Sequence, residues 1–122
     1  MAYRQDAAPQ PRTVWRMTDS TVGLVPFLRA RYAEGIKMAQ SLANPLVTES
    51  AGTLGLSVEA ARGEARRQLH AAEVRSRFFE ETVVPYLGTA GPVGRIAEQQ
   101  LGLLAWEHVG HRDYRDEWYP RP

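Results

Sequence analysis

A chain of 122 residues, 43% apolar and 24% charged, has the composition of one globular domain rather than a wholly disordered or membrane-embedded chain. Fifteen basic residues against fourteen acidic ones leave a formal charge of +1, so no global field drives it toward nucleic acid or a membrane surface, and any such binding needs a local patch. There is no cysteine, which excludes disulfide scaffolds, thiolate zinc sites and cysteine nucleophiles.

Residues 1–20 carry Pro9, Pro11 and many polar groups without apolar period, the pattern of a flexible, disordered arm. Trp15 is the one residue there that argues for docking. Arg4, Asp6, Arg12, Arg16 and Asp19 leave no apolar core for a secretory signal. The longest apolar run, Leu101 to Trp106, is far below the ~20 residues of a membrane-spanning helix. A cytoplasmic protein with no membrane contact is the expectation. Lys37 is the only lysine beside fourteen arginines, the mark of a GC-rich genome more than of selection for phosphate-binding forks.

Residues 21–122 are expected to form a single helical domain. Leu24, Phe27, Leu28, Arg31 or Tyr32, Met38 and Leu42 recur at spacings of three and four, predicting a first helix over 24–42 with its apolar stripe on one side. Pro26 fits in its first turn and Asn44-Pro45 ends it. The connection 43–57, rich in Ser, Thr and Gly, reads as a loop with room for a short hairpin in 45–56. Ser57 is a good N-cap with Glu59 in the following turn, opening a second helix that continues to Val84. Leu69, Ala72, Phe79, Val83 and Tyr86 form its stripe, with Val74 and Phe78 beside it. A turn at Gly88–Pro92 leads to a third helix over 93–109, with Gly110 in the C′ position. The fold class is therefore all-α, a small three-helix bundle with an ordered C-terminal tail across one end. The alternative architecture is an elongated second helix that dimerises, because Phe78, Phe79, Val83 and Val84 offer more apolar surface than one stripe needs.

The tail His111-Arg112-Asp113-Tyr114-Arg115-Asp116-Glu117-Trp118-Tyr119-Pro120 alternates charged and aromatic residues. It resembles the terminal H-P-D-Y-R-E-E-W-x-P block of an uncharacterised family of small actinobacterial and phage proteins. Phe27-Leu28-Arg29-Ala30-Arg31 is similar to that family's F-L-R-A-R opening. Glu64, Arg67, Leu69, Glu73, Arg75 and Arg77 resemble its D-P-A-R-x-L-x-x-x-E-x-K-x-R run. The family carries no assigned activity, so the resemblance implies an origin and not a reaction.

Chemistry-bearing constellations are few. His108, His111 and Asp113 imitate a metal-ligand spacing, but Gly110 interrupts the helix between the histidines, and two histidines with one carboxylate are a weak motif. Helix-end and corner roles fit better, so no metal or other cofactor is expected. Asp113, Asp116 and Glu117 are interleaved with Arg112 and Arg115, the pattern of a salt-bridged surface segment rather than a catalytic dyad. Ser20, Ser41, Ser50, Ser57 and Ser76 have no recognisable base partner, and no phosphate loop or G-x-S-x-G elbow occurs. No catalytic residue is assigned.

Two interaction surfaces remain. Trp106, Tyr114, Trp118 and Tyr119 fall within fourteen residues, suiting either rings that cap the core or an aromatic hot spot. His111, Asp113, Tyr114, Arg115 and Trp118 form that candidate surface, with packing the preferred role for Tyr114 and Trp118, and Asp113 and Arg115 holding the tail by local hydrogen bonds. Residues 51–69 resemble the helix-turn-helix of sigma-factor-like regulators, matching at Ala51, Leu54, Gly55, Leu56 and Ser57. Ala61 and Ala65 are small where that family carries Val or Leu, and the preceding helix would have to be very short and include Gly52. In that rival reading, a DNA-binding regulator using 47–69, Arg62, Arg66 and Arg67 would contact nucleic acid. The leading expectation is a non-enzymatic accessory or interaction protein that binds an unidentified protein or associates with itself through the second helix.

Overall fold

A computed structural model describes residues 22–120, so the expected arm over 1–20, Trp15 included, lies outside the described residues. The described chain is all-α, with no strand. Four helices follow in order: α1 (Leu24–Leu42), α2 (Pro45–Thr53), α3 (Val58–Phe78) and α4 (Pro92–Trp106). The helix α2 replaces the expected loop or hairpin over 45–56, and the three predicted helices become four.

The reason lies in Asn44-Pro45. That pair ends α1, and it also starts α2. Asn44 adopts an extended N-cap conformation (φ −60°, ψ 132°) and its side chain accepts the Leu46 amide at 2.8 Å. Pro45 fills the first turn, where its missing N–H costs nothing. Ser and Thr are poor helix formers because they compete for backbone bonds. Here that competition is local: the hydroxyls of Ser50 and Thr53 donate to the carbonyls of Val47 (2.6 Å) and Ser50 (2.7 Å). A hydroxyl-rich segment therefore stays helical when its hydroxyls bond back to the preceding turn.

The second predicted helix also ends differently. Pro85 has no N–H and crowds the carbonyl four residues earlier, so α geometry stops at Phe78. The chain widens into a π turn over Phe79–Val83 and tightens into a 3-10 turn over Val84–Tyr86. A π turn shifts register by adding a residue, and here it leaves both Phe79 and Val83 fully enclosed while Tyr86 is half exposed. The helix α4 ends at Trp106, three residues before the predicted boundary. Gly110 is absent from the glycines with positive φ and does not act as the C′ residue.

The described chain divides into two compact units, residues 22–28 with 79–120, and residues 29–78. In the first, Leu24, Phe27, Leu28, Phe79, Val83, Ala97, Leu101, Ala105 and Trp118 are buried, each large apolar side chain contributing roughly 1.5–3 kcal/mol. Gly94 is buried there with its α-carbon facing the turn before α4. A side chain at that position would run into the Thr89 carbonyl. In the second unit the buried positions are small or polar: Ala39, Thr48, Ala65 and Ala72, with Tyr32 the one large ring. The predicted stripe of α1 breaks between them, since Met38 and Leu42 are exposed and Ala39 is buried in their place.

Candidate functional site

The tail winds back on its own unit through successive turns. The amides of His108, His111 and Tyr114 donate to the carbonyls of Ala105 (2.9 Å), His108 (2.9 Å) and His111 (3.0 Å). A last 3-10 turn, Asp116–Trp118, follows. These turns gather four rings around Phe27 of α1. Trp118 lies 5.0 Å from it and His111 5.8 Å, with Tyr114 at 6.0 Å and His108 at 6.2 Å. Tyr114 and Trp118 meet each other edge-on at 5.6 Å. Edge-to-face pairs of this kind add roughly 0.5–1.5 kcal/mol each beyond the area buried.

Trp118 is 6% exposed, so the ring is packed into the unit, as preferred from sequence. The first turn of α1 approaches it closely, because a Cβ at Gly23 would stand 3.1 Å from Trp118 Cζ2. Arg115 lays its guanidinium 5.2 Å from the Trp118 ring centre, a cation–π contact rather than the expected hydrogen bond. His111 Nδ1 accepts the Asp113 amide at 3.0 Å, which fixes the corner and occupies one ring nitrogen. Among the described residues no group of three or more His, Asp or Glu could hold a metal ion. Sequence reasoning placed Phe27 in an ordinary apolar stripe. Its role as the hub of the cluster had no sequence signal beyond that stripe.

Among the described residues neither Tyr114 Oη nor Trp118 Nε1, both buried in this cluster, has a hydrogen-bond partner. Burial, then the nearby phenol of Tyr119 and carboxylate of Asp116, push the Tyr114 hydroxyl above its ordinary range. A buried phenol beside negative charge resists ionisation. The cluster is built to pack.

The second unit presents a helix–turn–helix. The helix α2 ends in a Schellman motif: the Leu56 amide donates to Ala51 (2.8 Å) and the Gly55 amide to Gly52 (3.1 Å), with Gly55 at φ +80°. A Cβ-bearing residue would be strained at that φ. Ser57 then caps α3 by accepting the Ala60 amide at 3.1 Å. The residues 54–57 thus make a four-residue, glycine-containing turn of the length such motifs use. The short preceding helix that the rival reading required is present, with Gly52 inside it.

Arg62, Arg66 and Arg67 are all exposed. Arg62 stands 3.9 Å from Glu49, and Arg67 holds Glu64 at 2.8 Å, an arrangement completed by Gln68 at 3.1 Å. Hydrogen bonds from Arg67 and Gln68 hold the Glu64 carboxyl below its usual range. Arg66 forms no ion pair among the described residues. Around these charges lies the larger feature, which sequence reasoning missed: Leu46 is 78% exposed, Leu54 76%, Met38 67% and Leu56 62%. Between α1, α2 and α3 are two open hollows of about 270 Å³ each, floored by alanines of α3. The loop assignment of 45–56 hid this surface, because leucines in a loop carry no face.

No known protein family, curated protein or solved structure matches this chain.

Proposed function

We propose that the protein is a non-enzymatic interaction protein that binds another polypeptide through the apolar face of residues 29–78. Two observations carry this reading: Leu46, Leu54 and Leu56 on and after α2 are exposed, and two open hollows are lined by Met38, Leu42, Val47 and alanines of α3. Apolar side chains exposed in such number over a short stretch are costly to leave in water and mark association sites. Three serine hydroxyls fit a non-catalytic reading. Ser41 donates to Lys37, Ser50 donates to Val47 and Ser57 caps α3, so each is committed to backbone. The candidate surface in the tail contributes less: Trp118 and much of Tyr114 are spent on packing, leaving Arg115, Asp113 and Tyr119 at the rim. Kinship with the small actinobacterial and phage proteins rests on the C-terminal block, the Phe27-Leu28-Arg29-Ala30-Arg31 stretch and the looser match over Glu64–Arg77, and the absence of cysteine fits a reducing cytoplasm. Among the described residues no helix is long and apolar enough to cross a membrane.

The test is quantitative capture from host extract by the full chain and by Leu46→Ser/Leu54→Ser. The reading expects the captured partner to be lost with the double substitution at unchanged helical content. Undiminished capture would move the binding surface elsewhere.

A second reading, DNA binding through α2, its turn and α3, is favoured by the Schellman end, the Ser57 cap and exposed Arg62 and Arg66. It is opposed by Glu49 and Glu64, which occupy two of the three arginines. Mobility shift on random DNA at two salt concentrations tests it. A phosphate-driven complex weakens steeply with salt and further with Arg66→Ala/Arg67→Ala, whereas no shift at either salt sinks it.

A further inference from the structure

We propose that the occupant of this face is a second copy of the chain, with the two α3 helices antiparallel and Arg75 of each copy level with Glu64 of the other. The proposal rests on the reading of residues 29–78 as a binding face and names its partner. One hollow is floored by Ala61, Ala65 and Gln68, the other by Gln68, Ala71 and Ala72. Their centres are about seven residues apart, or ~10 Å along the helix. Glu64 stands at one end of this track and Arg75 at the other. Arg75 is exposed and makes no ion pair among the described residues.

A track with a carboxylate at one end and a guanidinium at the other is complementary to itself when reversed. Parallel pairing would set like charges together, which costs several kcal/mol when they are forced into contact. A two-fold axis generates the antiparallel pairing and uses the same patch twice. The charges therefore choose the register, and the register makes an independent statement about the apolar residues. Bringing Arg75 opposite Glu64 also brings Phe78 of each copy level with Ala61 of the other. Phe78 is half exposed near the C-terminal end of α3, and Ala61 floors the hollow that also takes Leu42 and Val47. A large ring thus meets a small-residue hollow at both ends of the pair, with the overlap covering most of α3.

Sedimentation of the purified full chain over a range of concentrations and salt tests this. The expected result is a monomer–dimer equilibrium that Arg75→Glu weakens by about tenfold or more, through like charge against Glu64. Glu64→Arg should weaken it similarly, and the exchange Glu64→Arg/Arg75→Glu should restore it. Circular dichroism checks each variant. Should a reversal lose its helical signal, the neutral Arg75→Gln and Glu64→Gln make the same comparison, each with a smaller but measurable loss. A chain that stays monomeric at every concentration overturns the proposal, as does a dimer indifferent to both substitutions or one that the exchange fails to restore. In those cases the capture experiment with Leu46→Ser/Leu54→Ser still decides whether the face binds a different protein, so the two readings fail separately.

Discussion

The two compact units differ in the size of what they bury. The unit formed by residues 22–28 and 79–120 encloses Phe27, Phe79 and Trp118, so the tail that carries Trp118 is part of the core, while Trp106, Tyr86 and Tyr119 stay about half exposed. The unit formed by residues 29–78 buries alanines, a threonine and the ring of Tyr32, and leaves leucines outside. Aromatic density in a sequence therefore says little about a binding surface when a nearby hub can absorb the rings. Modest leucines on a short helix can form a face if the small residues beneath them leave room. The tail looked like the interaction site because it is conspicuous. The physical case is stronger for α2 and α3.

The largest effect expected from breaking this contrast is at Trp118. Replacing it with alanine should cost roughly 3–5 kcal/mol in denaturant unfolding, the range for a truncated buried aromatic. A loss below about 1 kcal/mol would show that the tail does not pack as described. Gly94→Ala comes next. Its methyl group would meet the Thr89 carbonyl, so the turn before α4 must shift, at a cost of about 1–3 kcal/mol. An unchanged unfolding midpoint would show that the turn yields freely.

Tyr114→Phe sharpens the contrast from the other direction. The substitution keeps the ring against Phe27 and Trp118 and removes a buried hydroxyl that has no partner among the described residues. It should be neutral or stabilising by up to about 1 kcal/mol near neutral pH. A clear loss would show that the hydroxyl is satisfied in solution. The pH dependence follows the same atom. Because folding raises the Tyr114 pKa above its ordinary 10.0, the unfolded chain gives up this proton first. The associated stability is complete below about pH 10 and is lost as pH rises through the folded value. Tyr114→Phe should therefore flatten the alkaline arm of the stability profile, and an identical arm in both chains would contradict the assignment.

What the sequence made legible divides along the same line. Helix α1 is correct to both ends because its apolar spacing and Asn44-Pro45 stop are local signals. The start of α3 at Ser57 is correct for the same reason. The break at Phe78 follows from Pro85, but the π turn that accommodates it depends on how Phe79 and Val83 pack, which no local pattern encodes. The helix α2 was missed because Asn44-Pro45 carries two meanings, stop and start, and only the first was used. That one omission concealed the exposed face, since Leu46 and Val47 gain a side only once they are helical. In the tail, burial of Trp118 could be argued from its size alone, whereas convergence on Phe27 required the fold.

The smallest expected effect is also the most direct test of the central claim, that the leucines on and after α2 face solvent and are free to bind. The measurement is the thermal melting of Leu46→Ser/Leu54→Ser at a concentration low enough to keep the chain monomeric. The account predicts a stability within about 0.5 kcal/mol of the parent chain, as for surface substitutions. A loss of more than about 2 kcal/mol, the cost of truncating buried leucines, would show that these residues belong to a core and that the proposed binding face does not exist.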